Sequence, residues 1–255
     1  MALVESSREA WQTGFLVFLR IGAAMSLLPA FGERSVPVRV RLVLTIAFTI
    51  LVAPAVAPRF SYDALEERGR LVLLLSETMA GLTIGIGLRL LVFALQMAGT
   101  MAAQSVSLSQ IFGGSPGQDP QPAIGHIIVI GGLALAVMAG LHVRLTSFLI
   151  LSYDLIPAGQ LPHSAMLAEW GIDKVGKAFA LAFSLAAPFL VASLLYNIAL
   201  GVINRAMPQL MVAFVGVPAI TAGGLFLLLL ILPLLLQVWH VGLVSFLEDP
   251  SGGLQ

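Results

Sequence analysis

No cysteine occurs anywhere in the 255 residues, which removes disulfide staples, thiolate nucleophiles and cysteine-based metal centres together. Charge is nearly as scarce. Asp, Glu, Lys and Arg make up 10% of the chain against 58% hydrophobic residues, where soluble domains carry about 25% charge. A water-facing surface cannot be built from that supply. Neither sign is in excess, with 13 basic and 13 acidic residues, so a basic nucleic-acid binder is excluded. The hydrophobicity excludes a disordered chain. Enzyme signatures are missing as well. His126, His142, His163 and His240 are scattered, with no HExxH pair. There is no GxSxG elbow, and Gly113-Gly114-Ser115 lacks the lysine of a phosphate loop. These absences predict a protein that is no enzyme and needs no cofactor or metal.

What the chain does have is long uncharged runs. Between Arg89 and Arg144 the single charged residue is Asp119, and none occurs from Ala178 to Ile203 or from Ala206 to Leu247. Lipid cannot satisfy backbone polar groups, so runs of this length read as membrane helices. The expected fold is an all-α polytopic integral membrane protein with about six hydrophobic helical segments, at 14–31, 38–57, 71–101, 122–151, 178–203 and 219–247. The residues ahead of the first run include Glu5, Arg8 and Glu9. They do not form the basic leader of a signal peptide, so the first run is read as a membrane helix. The third, fourth and sixth segments exceed an about 30 Å hydrocarbon core and must tilt, break or project beyond it. Gly131, Gly132 and Gly140 predict a break in the fourth, and Pro233 predicts a kink in the sixth. Loop charges are shared too evenly to fix orientation. Arg8, Arg59, Arg68, Arg70, Lys174 and Lys177 fall on one side and Arg34, Arg39, Arg41 and Arg205 on the other.

Polar residues inside apolar segments are expensive, so they mark the candidates for function. Arg20 lies in the first segment, and Glu77 and Arg89 lie in the third. Glu77 and Arg89 stand twelve positions apart and cannot pair along one helix. Arg20 with Glu77 across two helices is the expected ion pair, serving either as a structural tie or as a proton or ion path. Gly81, Gly85 and Gly87, with Ala98, Gly99, Ala102 and Ala103 beyond them, would let helix backbones approach closely. The stretch from Gln104 to Gln121, "QSVSLSQIFGGSPGQDPQ", has no basic residue and sets Ile111 and Phe112 among glycines and prolines. It reads either as a re-entrant plug shielded by protein or as an exposed loop. In the last connection Asn204, Arg205, Pro208 and Gln209 sit between apolar helices. They either bind a phosphate, a partner backbone or a transported chain, or cap the hairpin.

In order along the chain, Arg20, Pro29, "ERSVPVRVRL" (33–42), Glu77 with its glycines, Ala98-Gly99, Gln104, Phe112, Gly140-x-His142, Ser152, Pro157, Pro188, Asn197 and "LGVINRAMPQL" (200–210) with Gly216 and Pro218 resemble the FliR family of flagellar export-gate subunits. Its relatives in injectisomes are of the SctT type. The resemblance implies a FliP-like helical part at 1–175 and a FliQ-like hairpin at 176–255. It also implies assembly with FliP-like and FliQ-like subunits into a gate, with FlhA-like and FlhB-like membrane partners, in the bacterial inner membrane at the flagellar basal body. Unfolded exported proteins would pass through, membrane lipid would surround the gate, and nucleic acid would play no part. By position, the plug would be the loop near 105–122, with Ile111, Phe112, Gly113, Gly114, Asp119, Pro120 and Pro122. Here the chain departs from the family, in which Asp-Pro follows the aromatic directly: Gly113-Gly114 stands in that place and Asp119-Pro120 comes later. The resemblance makes the Arg20–Glu77 pair structural, and makes Asn204, Arg205, Pro208 and Gln209 contacts with partners at the cytoplasmic entrance. The alternative from another class is a small-solute or ion-coupled secondary transporter using Arg20 and Glu77. Such folds often carry inverted repeats, and no such symmetry relates 1–127 to 128–255.

Overall fold

A computed structural model describes residues 2–33, 35–60, 69–106, 123–162, 164–207 and 212–250. All regular structure among them is helical: α1 Ala2–Met25, α2 Val38–Val56, a 3-10 turn Ala57–Arg59, α3 Arg70–Ser105, α4 Ala123–Met138, α5 Leu141–Leu155, α6 Ser164–Ala206 and α7 Val212–Glu248. Four of the described helices are long and apolar enough to cross a membrane. A fifth span arises if α4 and α5, bent by 77° at their junction, count as one.

The expected helices are present, with four differences. First, α1 is not among the membrane-spanning candidates. It starts well before residue 14 and ends at Met25, so every 18-residue stretch of it includes at least three of Glu5, Arg8, Glu9 and Arg20. Second, of the three glycines expected to break the fourth segment, Gly140 does so, while Gly131 and Gly132 lie within α4. Gly140 has φ +81°, a left-handed conformation that costs glycine little and other residues more. Third, α6 begins at Ser164, well ahead of the expected fifth segment at 178–203. Glu169, Asp173, Lys174 and Lys177 are spread among strong helix formers, and charge marks the water side of a helix without ending it. Fourth, α7 starts at Val212 and runs through both Pro218 and Pro233, so the last connection is short.

The chain divides into two compact units. One comprises residues 1–90, 136–175 and 243–255, the other 91–135 and 176–242. In the first, α1 lies directly against α3 at a stripe of small residues. A Cβ added at Gly81 would land on the Arg20 carbonyl and 2.9 Å from the Ala23 Cβ, and one at Gly85 would come within 3.0 Å of the Ala24 carbonyl and of the Leu27 Cβ. Phe31 packs edge-on against Phe48 at 6.2 Å, and Phe148 against Phe246 at 5.8 Å. In the second unit, Gly99 of α3 faces Gly125 of α4 with no room for a side chain at Gly99. Trp239 of α7 is fully buried and donates its indole N–H to the Leu91 carbonyl at 2.8 Å. Val106 occupies the space that a side chain at Gly224 would need.

The close approach at Gly81 yields a paired expectation. Gly81→Val overpacks the α1–α3 contact and should destabilise the protein by about 1–3 kcal/mol. Gly171→Ala, where nothing lies within 4 Å of the added carbon, should stabilise by up to about 1 kcal/mol through helix propensity. Thermal unfolding in detergent, followed by circular dichroism, checks both; equal behaviour of the two would contradict the contact.

Candidate functional site

Arg20 of α1 and Glu77 of α3 meet with no exposure to solvent. Arg20 donates from Nε to Glu77 Oε2 at 2.7 Å and from Nη2 to Oε1 at 3.1 Å. This is a two-point fork, which fixes orientation as well as distance. The remaining amine does not idle. Arg20 Nη1 donates to the Ser152 carbonyl at 3.2 Å, the Ser152 hydroxyl at 3.4 Å and the Ile156 carbonyl at 3.0 Å. Those carbonyls close the C-terminus of α5, where cations are favoured by the helix dipole. The guanidinium carbon also lies 3.7 Å from the centroid of the Tyr153 ring, a stacked cation–π contact.

Glu77 is equally occupied. Its Oε1 accepts the Gly159 N–H at 2.9 Å, and its Oε2 accepts the Tyr153 hydroxyl at 3.4 Å. One buried pair therefore joins α1, α3, the end of α5 and the strap that follows it. A second arginine works on the same helix end. Arg59 donates to the Ile150 carbonyl at 2.7 Å and pairs with Asp154 at 3.2 Å. Arg89 finds its carboxylate elsewhere, on Glu33 at 2.6 Å.

Of the residues singled out from the sequence, the structure brings together Arg20 and Glu77. Asn204 and Arg205 lie exposed in the last turn of α6. Ile111, Phe112, Gly113, Gly114, Asp119, Pro120 and Pro122, and Pro208 and Gln209, lie outside the described residues. Sequence reasoning missed Tyr153, Ile156 and Gly159 as members of the cluster. Their main contributions are a ring face, a carbonyl and an N–H, which leave no charge pattern to read. Among the described residues no group of three or more His, Cys, Asp or Glu side chains could hold a metal ion. The carbonyls and ring around Arg20 and Glu77 offer anchoring and no second carboxylate.

Removing one partner of a buried pair strands a charge and costs about 3–5 kcal/mol, while removing both costs less than the sum. Arg20→Met, Glu77→Leu and the double variant should therefore show a coupling of at least about 1 kcal/mol in detergent unfolding. Additive losses would mean that the pair carries no shared energy.

Comparison with known proteins extends over nearly the whole chain. Residues 11–244 match the family described as bacterial export proteins, family 1. The flagellar biosynthetic protein FliR of Caulobacter vibrioides is 30% identical over 225 residues, covering 88% of this chain and 90% of that protein. The protein of the same name from Escherichia coli K12 is 30% identical over 245 residues, covering 91% and 90%. That from Bacillus subtilis 168 is 25% identical over 228 residues, covering 88% and 87%. A match of this extent, running from α1 into the last turns of α7, makes this chain a member of bacterial export proteins, family 1.

Proposed function

We propose that the chain is a membrane subunit of the flagellar type III protein export gate, and that it helps to form and plug a channel for unfolded flagellar subunits. The observation that carries this reading is the family match across residues 11–244, with relatives named as flagellar biosynthetic proteins. No comparison supports a small-solute transporter. In this reading the chain works without catalysis of its own and sits in the bacterial inner membrane.

Helix length supports membership of an assembly. Large apolar side chains are exposed on α6 from Met166 to Ile203, about 55 Å along the axis at about 1.5 Å per residue. A hydrocarbon core is about 30 Å thick, so lipid alone does not cover that length; the charged turns around Glu169, Asp173, Lys174 and Lys177 can meet water, and the apolar excess favours neighbouring protein. FliP-like and FliQ-like subunits are the neighbours we assign, with FlhA-like and FlhB-like proteins alongside. Residues 1–175 then correspond to a FliP-like part and 176–255 to a FliQ-like hairpin. Exposed Asn204 and Arg205, with Pro208 and Gln209, contact partners at the entrance. The Arg20–Glu77 pair is a structural tie in this scheme, and the loop near 105–122 is the plug.

Native mass spectrometry of the chain co-expressed with FliP-like and FliQ-like proteins tests the assignment. A stable hetero-oligomer with this chain as the minority subunit is expected; a monomer or homodimer that ignores both would overturn it. The plug has its own test. Deleting residues 110–118 should raise ion leakage through the assembled gate in vesicles, and unchanged leakage would remove the plug from the scheme.

A further inference from the structure

Serine and threonine in apolar helices ordinarily return their hydroxyl protons to the preceding turn. Thr100 and Ser105 of α3 do so, to the Gln96 and Ala102 carbonyls at 2.8 and 2.7 Å. In α6, Ser184 gives its proton to the Ala180 carbonyl at 2.8 Å. Ser193, further along the same helix and buried, does otherwise. Its hydroxyl leaves α6 and donates to the Ser105 carbonyl, at the end of α3, at 2.8 Å. One turn on, Asn197 donates from Nδ2 to Ser193 Oγ at 3.3 Å. The oxygen thus accepts from its own helix on one side and donates across to α3 on the other.

Carbonyls at a helix end have no partner within the helix, and among apolar helices an unsatisfied one is costly. The residue after Ser105 is fixed as well. Val106 is buried, donates its N–H to the Ala102 carbonyl at 3.2 Å, and fills the notch left by Gly224 of α7. A Cβ at Gly224 would lie 2.8 Å from the Val106 Cβ. All of these residues belong to the second unit. Beyond the 107–122 stretch, Gly125 of α4 lies against Gly99 of α3, backbone to backbone. The two flanks of that stretch are therefore held differently. Backbone contact between glycines has no alternative partner, whereas the Ser193 hydroxyl has one. Rotated about χ1, it reaches the Phe189 carbonyl of its own helix, as Ser184 reaches Ala180. That rotation keeps the donor satisfied and frees the Ser105 carbonyl.

We propose that Ser193, oriented by Asn197, is a positioning residue for the plug: together with Gly224 it fixes the point at which the plug leaves α3, and so keeps the channel shut. The role rests on the assignment of the loop near 105–122 as the plug. Turning one hydroxyl back onto α6 loosens the root of that loop without unfolding a helix or moving a charge.

Ion leakage through the assembled gate in vesicles, divided by the amount of gate recovered, reads the position of the plug and not the yield of assembly. Loss of one hydrogen bond should raise it about fivefold in Ser193→Ala. Ser184→Ala removes a hydroxyl that stays within its own helix and should remain at the wild-type value. Gly224→Ala pushes Val106 from its notch and should leak as well; it takes the place of Ser193→Ala should that variant not assemble. Deletion of residues 110–118 in the same vesicles separates the role of Ser193 from the plug itself. A leaking deletion beside a Ser193→Ala variant at the wild-type value would overturn the positioning role and leave the plug in place. Equal leakage in Ser184→Ala and Ser193→Ala would overturn it too, as general loosening of α6. A deletion that does not leak would remove the plug, and the role of Ser193 with it.

Discussion

An arginine and a glutamate with no access to solvent impose the strictest condition in this protein. Taking either charge out of water costs several kcal/mol, which only good geometry and full hydrogen bonding return. The surroundings of Arg20 and Glu77 meet that condition with a fork between them, two carbonyls at the end of α5, the Gly159 N–H and the Tyr153 ring and hydroxyl. Each of those partners must be held in place. The α1–α3 contact therefore has to be close, and it is close because Gly81 and Gly85 leave the helix axes free to approach. The break at Gly140 sets α5 on its own course, and α5 ends with its terminal carbonyls on Arg20 and Arg59.

A second constraint is length against bilayer thickness. Helices of 36, 43 and 37 residues are about 54, 64 and 55 Å long at about 1.5 Å per residue. Exposed apolar side chains continue along much of that length. A solitary membrane protein would leave part of this surface in water, whereas a subunit surrounded by similar helices would not. The composition that excluded a soluble protein thus also favours one built to be covered by neighbours, as the proposed gate requires.

Hydropathy located the membrane helices well because lipid enforces a single rule, that backbone groups be satisfied internally. It failed where a helix leaves the apolar environment. Glu169, Asp173, Lys174 and Lys177 fall between the expected fourth and fifth segments, yet α6 continues through them, because lipid exclusion and helix formation are separate properties. In α1 the apolar run shares its helix with the charges of Arg8, Glu9 and Arg20, so α1 falls outside the helices that length and composition mark as spans. The pairing of Arg20 with Glu77 was legible because a buried charge demands a partner and few were on offer. Arg89 followed the same logic but to Glu33, a residue in a connection that segment-by-segment reading set aside. Tyr153, Ile156 and Gly159 left no trace, since a carbonyl, an N–H and a ring face carry no signature in sequence.

In the proposed gate, the Arg20–Glu77 cluster holds the fold and does not move protons. Glu77→Gln keeps the shape of the side chain while removing its ability to titrate, so it separates the two roles. The measurement is export of a flagellar subunit per assembled gate, in cells whose only copy of this chain carries the variant. Export should fall only as far as the amount of assembled gate falls, leaving the ratio at the wild-type value. Fully assembled gates that no longer export would contradict it, and would make Glu77 part of the energy-coupling path.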